Sequence, residues 1–219
     1  MDKAWKKIYE NRALKDMPEH KKSCWTKEGY EQLFDTTKYL IEKIDKNKKI
    51  KTILDVGCGH GRYCKMLHDK KYLVTGIDYS EKVITSAKKL QPQIKFVVGD
   101  AYNLQFKNES FDLVLSIGTL QCVSDHKKIL LELTRVANKA ILISTLIRNK
   151  DIKDPKGSFK RKLKEDSWPT REYNKSEIIP ILKERGFKTT IITHYNNKKI
   201  KDGAFIIAIR KKTSLNNIQ

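Results

Sequence analysis

An α/β fold built on a mostly parallel sheet, with helices on both faces, is predicted by two features of the sequence. Short apolar runs alternate with segments of helical period from residue 51 onward. The last two runs are joined by HYNNKKIKDG, which has no room for a crossover helix, so these two strands should pair antiparallel. The predicted strands are 53–56, 72–77, 94–98, 111–117, 140–145, 189–193 and 204–209, and the predicted helices between them are 61–69, 80–90, 125–137 and 176–185.

The length of 219 residues fits one domain with a sizeable core. We divide it into an N-terminal helical cap (1–50), a core (51–145), a connection or lid (146–175) and a C-terminal helix and hairpin (176–219). A cap helix is expected from about 27 to 46, with Thr26 as its N-cap. In the C-terminal helix, Pro180 lies near the start and Gly186 follows the end as C′ residue. A connection as long as 146–175 is uncommon without a function.

The net charge of +20 suggests a polyanionic partner, with RNA as the first candidate. However, 38 of the 46 basic residues are lysines and only 8 are arginines, the residue best suited to bidentate phosphate recognition. The lysines are also spread along the whole chain. Nucleic acid therefore stays a possible but less favoured partner, behind a small molecule.

Other features of the sequence exclude several classes of protein. No apolar run reaches membrane-spanning length and the N-terminus has no apolar signal core, so we expect a cytoplasmic protein without a membrane span. The four cysteines are scattered without a CxxC pair, which predicts neither a zinc site nor a disulfide framework. No metal is expected, and the oligomeric state is not predicted.

The stretch ILDVGCGHGRY at 53–63 carries the strongest functional signal. An apolar strand ends beside Asp55, and glycines follow at positions 57, 59 and 61. In a parallel sheet the ligand crevice lies at the carboxyl ends of the strands, where a glycine turn lets backbone N–H groups approach a ligand. The second strand ends at Asp78, a position suited to accept hydrogen bonds from two ribose hydroxyls. A ligand containing a nucleoside is therefore predicted.

The acid and the spacing in this stretch favour S-adenosyl-L-methionine over NAD. A dinucleotide fingerprint reads GxGxxG, but Arg62 stands where its third glycine would be. Asp55 would repel a pyrophosphate, whereas it suits a ligand that carries an ammonium or sulfonium group.

Four segments together resemble the motifs of class I S-adenosylmethionine-dependent methyltransferases, in particular the small-molecule, type 11-like subgroup. They are ILDVGCGHGRY (53–63), GIDYS (76–80), VVGDAYNLQF (97–106) and FDLVLSIGTLQCVSD (111–125). The resemblance implies a Rossmann-like, seven-stranded sheet with an antiparallel last strand. One departure is VANKA (136–140), which stands where the family often has a Lys-Pro-Gly-Gly turn.

The resemblance also implies roles for individual residues. The glycine turn should line the methionine part of the cofactor, Asp78 should bind the ribose, and Asp100 and Ala101 should bind the adenine. Residues after the fourth strand should border the methyl group. The implied cofactor-binding set is Asp55, Gly57, Cys58, Gly59, Gly61, Asp78, Tyr79, Asp100, Ala101, Ser116, Ile117 and Gln121.

The expected reaction is direct in-line displacement of the methyl group to an oxygen or nitrogen of a small molecule, with S-adenosyl-L-homocysteine as product. A general base is needed only if the acceptor loses a proton; His60, His126 and His194 are candidates, and we name none as the base. Substrate contacts are predicted from the cap and the connection, at Trp5, Tyr9, Trp168, Arg171 and Tyr173. Three alternatives remain: an RNA (tRNA or rRNA) methyltransferase, an NAD-dependent oxidoreductase, and a cofactor-binding protein without catalysis.

Overall fold

The structure, a computed structural model, describes residues 10–11, 15, 17, 26–147, 171–193 and 203–211. The predictions made for Trp5, Tyr9, Trp168 and His194 therefore lie outside the described residues. Within the described ranges, no helix combines the length and the apolar character needed to cross a bilayer.

Helices and strands alternate as predicted. The helices are α1 (Lys27–Ile44), α2 (Arg62–Asp69), α3 (Glu81–Leu90), α4 (His126–Val136) and α5 (Lys175–Glu184). The strands are β1 (Thr52–Val56), β2 (Leu73–Asp78), β3 (Lys95–Val98), β4 (Phe111–Ile117), β5 (Ala137–Ile147), β6 (Glu172–Tyr173), β7 (Phe187–Thr193) and β8 (Gly203–Arg210). A short 3-10 turn, Leu120–Cys122, follows β4.

The sheet has the order β3-β2-β1-β4-β5-β8-β7, and β6 pairs with the end of β5. β8 runs antiparallel to β5 and β7, while the other pairs are parallel. This confirms the predicted fold class, including the antiparallel last strand. β6 was not predicted: it lies within 146–175, and its two residues are too few to show a strand period.

Local sequence signals explain where the helices begin and end. The side chains of Thr26, Ser80 and Asp125 accept hydrogen bonds from backbone N–H groups in the first turns of α1, α3 and α4. Gly186 follows the last helix with φ of 86°, as expected for a C′ residue. Pro180, predicted near the start of this helix, is the sixth of the ten residues of α5. α4 passes directly into β5, which confirms the short connection at VANKA.

Two apolar layers lie on opposite faces of the sheet. One joins residues such as Leu54, Val114 and Ile143 to α4 and α5, and the other joins Ile53 and Leu115 to α1 and α2. Because β1 lies between β2 and β4, the strand order reverses at the carboxyl end of β1. The fold therefore places the ligand crevice beside the residues that follow β1, β2 and β4.

Candidate cofactor site

The glycine turn, residues 57–61, needs its glycines for two different reasons. All three have positive φ, at 77° for Gly57, 54° for Gly59 and 80° for Gly61. A Cβ added at Gly57 would lie 2.2 Å from Thr119 Oγ1, and one at Gly61 would lie 2.6 Å from Phe96 Cζ. At Gly59 nothing lies within 4 Å. Internal packing therefore excludes a side chain at Gly57 and Gly61, and Gly59 is the glycine of this turn that borders open space.

Backbone hydrogen bonds attach the glycine turn to the end of β2. The N–H groups of Gly57 and Cys58 both donate to the carbonyl of Ile77, at 2.8 and 3.1 Å. The Cys58 thiol is buried, and burial raises its pKa to about 11, so it stays a neutral thiol. These contacts set Gly59 directly beside Asp78.

Asp78 ends β2 and is half-buried. One of its carboxylate oxygens accepts from Gly59 N at 3.1 Å, and the other accepts from Ser80 N at 3.0 Å. Burial raises the pKa of Asp78, while the hydrogen bonds from Ser80 and Gly59 oppose that shift. Each oxygen has a further lone pair, so the carboxylate can still accept from two ligand hydroxyls.

Asp55 lies deeper, in β1, and is 1% exposed. Its carboxylate accepts from the Cys64 thiol at 3.4 Å. Burial raises the pKa of Asp55 to about 7; the Cys64 hydrogen bond opposes this shift, and the charge of Asp78 adds to it. A cation bound nearby would favour the ionised form of Asp55.

The loop after β3 contains the two residues assigned to the adenine. Asp100 is exposed, and its Oδ1 accepts from Tyr102 N at 2.9 Å. This is local turn chemistry, and the second carboxylate oxygen makes no hydrogen bond to the described part of the chain. Ala101 is buried, at 4% exposure. Because β3 lies beside β2, both residues are at the same edge of the sheet as Asp78.

The segment between β4 and α4, residues 118–125, is named here the β4–α4 turn. It is tied to β1 by Thr119, whose hydroxyl donates to the carbonyl of Val56 at 3.2 Å. Gln121 is 8% exposed. Just before the turn, Ser116 is fully buried and its hydroxyl has no hydrogen-bond partner among the described residues. Ile117 ends β4, and Tyr79 follows β2; both are half-buried.

The two described residues predicted to contact substrate hold the β4–α4 turn. The Tyr173 hydroxyl donates to Leu120 O at 2.7 Å, and Arg171 N donates to Gln121 O at 2.8 Å. The Arg171 guanidinium also donates to Ser124 O. Tyr173 is 0% exposed, so the position predicted for it is corrected: its side chain is part of the core and does not reach a substrate surface. Substrate contact by Arg171 stays a prediction.

Arg62, which replaces the third glycine of a dinucleotide fingerprint, connects α1 to the glycine turn. Its guanidinium lies 4.0 Å from the ring centroids of both Tyr30 and Phe34. It also donates to the Glu31 carboxylate at 2.6 Å. The Arg62 side chain therefore links α1 to the start of α2.

Two of the histidines considered as bases lie within the described residues. His60 Nδ1 lies 3.2 Å from Ser86 Oγ, on the side of the turn that faces α3. His126 packs against the Tyr173 ring at 5.0 Å between centroids, and burial lowers its pKa. Neither geometry assigns a base. The described residues also contain no group of three or more His, Cys, Asp or Glu side chains arranged to hold a metal ion.

Two residues that hold the loops of this site were missed by sequence reasoning: Thr119, which packs on Gly57, and Tyr102, whose hydroxyl accepts from Ser124 and Asp125. Both lie in motifs already recognised. Their partners are distant in the sequence, so no local pattern could have indicated these contacts.

Comparison with known proteins gives one family match, to a model described as "Methyltransferase domain", over residues 54–142. Two curated relatives match a similar region. Norajmaline N-methyltransferase of Rauvolfia serpentina is 42% identical over 101 residues, which are 42% of this chain and 34% of the relative. Phthiotriol/phenolphthiotriol dimycocerosates methyltransferase of Mycobacterium tuberculosis is 39% identical over 92 residues, 39% of this chain and 33% of the relative. The match thus spans about a third of the length of each relative.

A solved structure extends the similarity of fold beyond that region. It is magnesium protoporphyrin IX methyltransferase from Synechocystis PCC 6803 with bound S-adenosylhomocysteine, at a TM-score of 0.68 and 18% identity. The alignment covers 95% of each chain. At this identity the similarity concerns the fold alone.

Proposed function

We propose a methyl-transfer function for this chain, whose residues 54–142 match a family model described as a methyltransferase domain. In this proposal the chain binds S-adenosyl-L-methionine and transfers the methyl group to an oxygen or nitrogen of a small molecule by direct in-line displacement. The match to a methyltransferase domain supports the cofactor and the reaction class. The identity of the acceptor goes beyond that match and is part of the proposal.

The observation that carries the proposal is the contact between Gly59 and Asp78. The carboxylate of Asp78 accepts from Gly59 N at 3.1 Å, and the space above Gly59 is open to at least 4 Å. An acid suited to accept hydrogen bonds from ribose hydroxyls thus lies beside backbone that a ligand can approach closely. Asp55, buried behind them, supplies a negative charge that a cationic ligand would stabilise. These residues fit a ligand that combines a ribose with a positive charge.

When bound, S-adenosyl-L-methionine supplies a methyl group already activated on a sulfonium. The chain's own residues then have to hold the cofactor, align its methyl group with the acceptor and exclude water. Asp78 would hold the ribose, Asp100 and Ala101 the adenine, and Asp55 would attract the positive charge. Ser116 and Gln121 would border the methyl group, where exclusion of water favours displacement.

The names of the two relatives support a small-molecule acceptor. One is an N-methyltransferase named for norajmaline, and the other is named for phthiotriol dimycocerosates. Both names refer to compounds other than nucleic acids. They favour a small-molecule acceptor over the RNA alternative, and the first favours nitrogen as an acceptor atom.

Thermal denaturation tests the proposed cofactor without knowledge of the acceptor. S-adenosylhomocysteine, S-adenosylmethionine and NAD are added in parallel. A ligand at about a hundred times its dissociation constant stabilises the folded state by roughly 2.7 kcal/mol, which gives a clear shift in Tm. Shifts with the first two ligands but not with NAD are expected. A shift with NAD alone would contradict the proposal.

A panel of amines and phenols then tests the acceptor class, with formation of S-adenosylhomocysteine as the readout. Turnover with members of this panel, and none with bulk tRNA or rRNA, is expected. Turnover with RNA alone would contradict the small-molecule acceptor and favour the alternative, an RNA methyltransferase.

A further inference from the structure

Tyr102 joins two loops that are separate in the sequence. Its hydroxyl oxygen accepts from the backbone N–H groups of Ser124 and Asp125, at 2.9 and 3.1 Å. The same oxygen lies 3.0 Å from Ser124 Oγ. One phenol therefore holds the end of the β4–α4 turn by up to three hydrogen bonds, at the point where Asp125 caps α4.

The backbone of Tyr102 belongs to the loop after β3. Its backbone N–H donates to Asp100 Oδ1 at 2.9 Å. Asp100 is one of the two residues to which the proposed function assigns the adenine. A ligand that fixes the Asp100 carboxylate also fixes the start of the Tyr102 side chain.

The β4–α4 turn is held from its other side by β6 and the residue before it. Tyr173 donates to Leu120 O and Arg171 N donates to Gln121 O, at 2.7 and 2.8 Å. The Arg171 guanidinium also donates to Ser124 O, so the turn that contains Gln121 is held by the β6 segment at both ends and by Tyr102 at Ser124 and Asp125. The Tyr102 anchor is the one that leads to the cofactor loop.

We propose that Tyr102 is a positioning residue that couples cofactor binding at the Asp100 loop to the position of the β4–α4 turn and its Gln121. This inference rests on the proposed function, because it takes the Asp100 loop as the adenine site. When the cofactor fixes the Asp100 loop, the hydrogen bonds of the Tyr102 hydroxyl also fix the β4–α4 turn, which borders the transferred methyl group in the proposed function. Phenylalanine would fill the same space without the coupling, because it lacks the oxygen that accepts from Ser124 and Asp125.

A second attachment keeps the loop folded when this hydroxyl is removed. Leu104 N donates to the Glu132 carboxylate, and Leu104 O accepts from the Arg135 guanidinium, both at 2.7 Å. These contacts tie the inner end of the loop to the body of α4 and do not involve Tyr102. The variant Tyr102→Phe should therefore fold, with the change confined to the outer end of the loop.

Hydrogen exchange at single amides, with and without S-adenosylhomocysteine, tests the coupling. In the wild type we expect the ligand to slow exchange at Gly59 and also at Ser124 and Asp125. In Tyr102→Phe without ligand, exchange at Ser124 and Asp125 should be roughly 2- to 12-fold faster, the loss of about one hydrogen bond. With ligand, Gly59 should still be protected in this variant, whereas the ligand-induced protection of Ser124 and Asp125 should be lost.

Tyr72→Phe is the matched control. It removes a tyrosine hydroxyl that donates to Asp45 Oδ2 at 2.8 Å, at the other end of β2 from the site, and should leave the ligand response unchanged.

Two outcomes separate this inference from the proposed function. If the ligand protects Gly59 but leaves Ser124 and Asp125 unaffected in the wild type, the coupling is overturned and the proposed function stands. The same holds if Tyr102→Phe retains the full ligand response at Ser124 and Asp125, because Tyr102 would then be only structural. If the ligand protects none of these amides, the proposed function fails and the coupling fails with it.

Discussion

Burial gives Asp55 a pKa of about 7, so its charge changes near neutral pH. Ionised Asp55 attracts a cationic ligand, and below this pKa a proton must leave before the ligand can gain that attraction. The affinity for S-adenosylmethionine should therefore fall as the pH is lowered below about 7, by up to about tenfold per pH unit. Calorimetric titrations across this range measure the effect, and Asp55→Asn should remove this dependence. An affinity independent of pH would mean that the positive charge of the ligand does not lie near Asp55.

The same carboxyl group predicts a conflict between stability and binding. Its pKa in the folded protein, about 7, exceeds the ordinary value of 3.8, so the folded state binds the proton more tightly than the unfolded state does. The ligand-free protein should lose stability as the pH rises from about 4 to about 7. Asp55→Asn should stabilise it at about pH 8 by on the order of 2 kcal/mol in urea unfolding, while weakening cofactor binding. A destabilised variant at that pH would refute this electrostatic account.

Two glycines of one turn should respond differently to alanine. Gly57→Ala places a Cβ 2.2 Å from Thr119 Oγ1 at a positive φ, so we expect a loss of roughly 2–4 kcal/mol in the free energy of unfolding. Gly59→Ala has strain but no clash, so it should cost about 1 kcal/mol in stability. Because Gly59 borders the open space, this second variant should lose affinity for S-adenosylhomocysteine. Wild-type affinity in Gly59→Ala would mean that the ligand does not approach this face.

At the scale of elements, Arg62 adds to the apolar packing that holds α1 on the core. Arg62 stacks on Tyr30 and Phe34 and pairs with Glu31, so Arg62→Ala should reduce stability by about 1–2 kcal/mol. Lys65→Ala is the matched control. Lys65 forms an exposed i,i+4 salt bridge with Asp69 on the same helix, and such a pair contributes about 0.3–0.5 kcal/mol to stability. Equal effects of the two variants in urea unfolding would show that the aromatic stacking contributes nothing.

Elements defined by local patterns could be predicted, and those that depend on distant contacts could not. The strand before Gly57 and the acid at the end of β2 follow from apolar runs that end in turn residues. The β6 strand has two residues and exists because it pairs with Leu146 and Ile147. The Tyr173 hydroxyl meets a carbonyl 53 positions away, and Tyr102 meets Ser124 22 positions away. No period or spacing carries such contacts, so Tyr173 was placed at the substrate and Tyr102 was overlooked.

At the scale of the whole molecule, the net charge of +20 is the feature that the proposed site does not use. If the acceptor is a small molecule, binding to RNA should be non-specific, equal for RNA and heparin, and steeply weakened by salt. Fluorescence titrations at several salt concentrations measure this. Binding that prefers one RNA shape over heparin at physiological salt would instead assign the charge to substrate recognition.

The central claim is that Asp78 and the open face of Gly59 hold a nucleoside that is part of S-adenosylmethionine. Titration calorimetry with S-adenosylhomocysteine and NAD tests it most directly, on the wild type, on Asp78→Asn and on the surface control Asp69→Asn. We predict binding of S-adenosylhomocysteine but not NAD to the wild type, an unchanged affinity in Asp69→Asn, and a loss of about 1–3 kcal/mol in Asp78→Asn. Undiminished affinity in Asp78→Asn, or a preference of the wild type for NAD, would contradict the account.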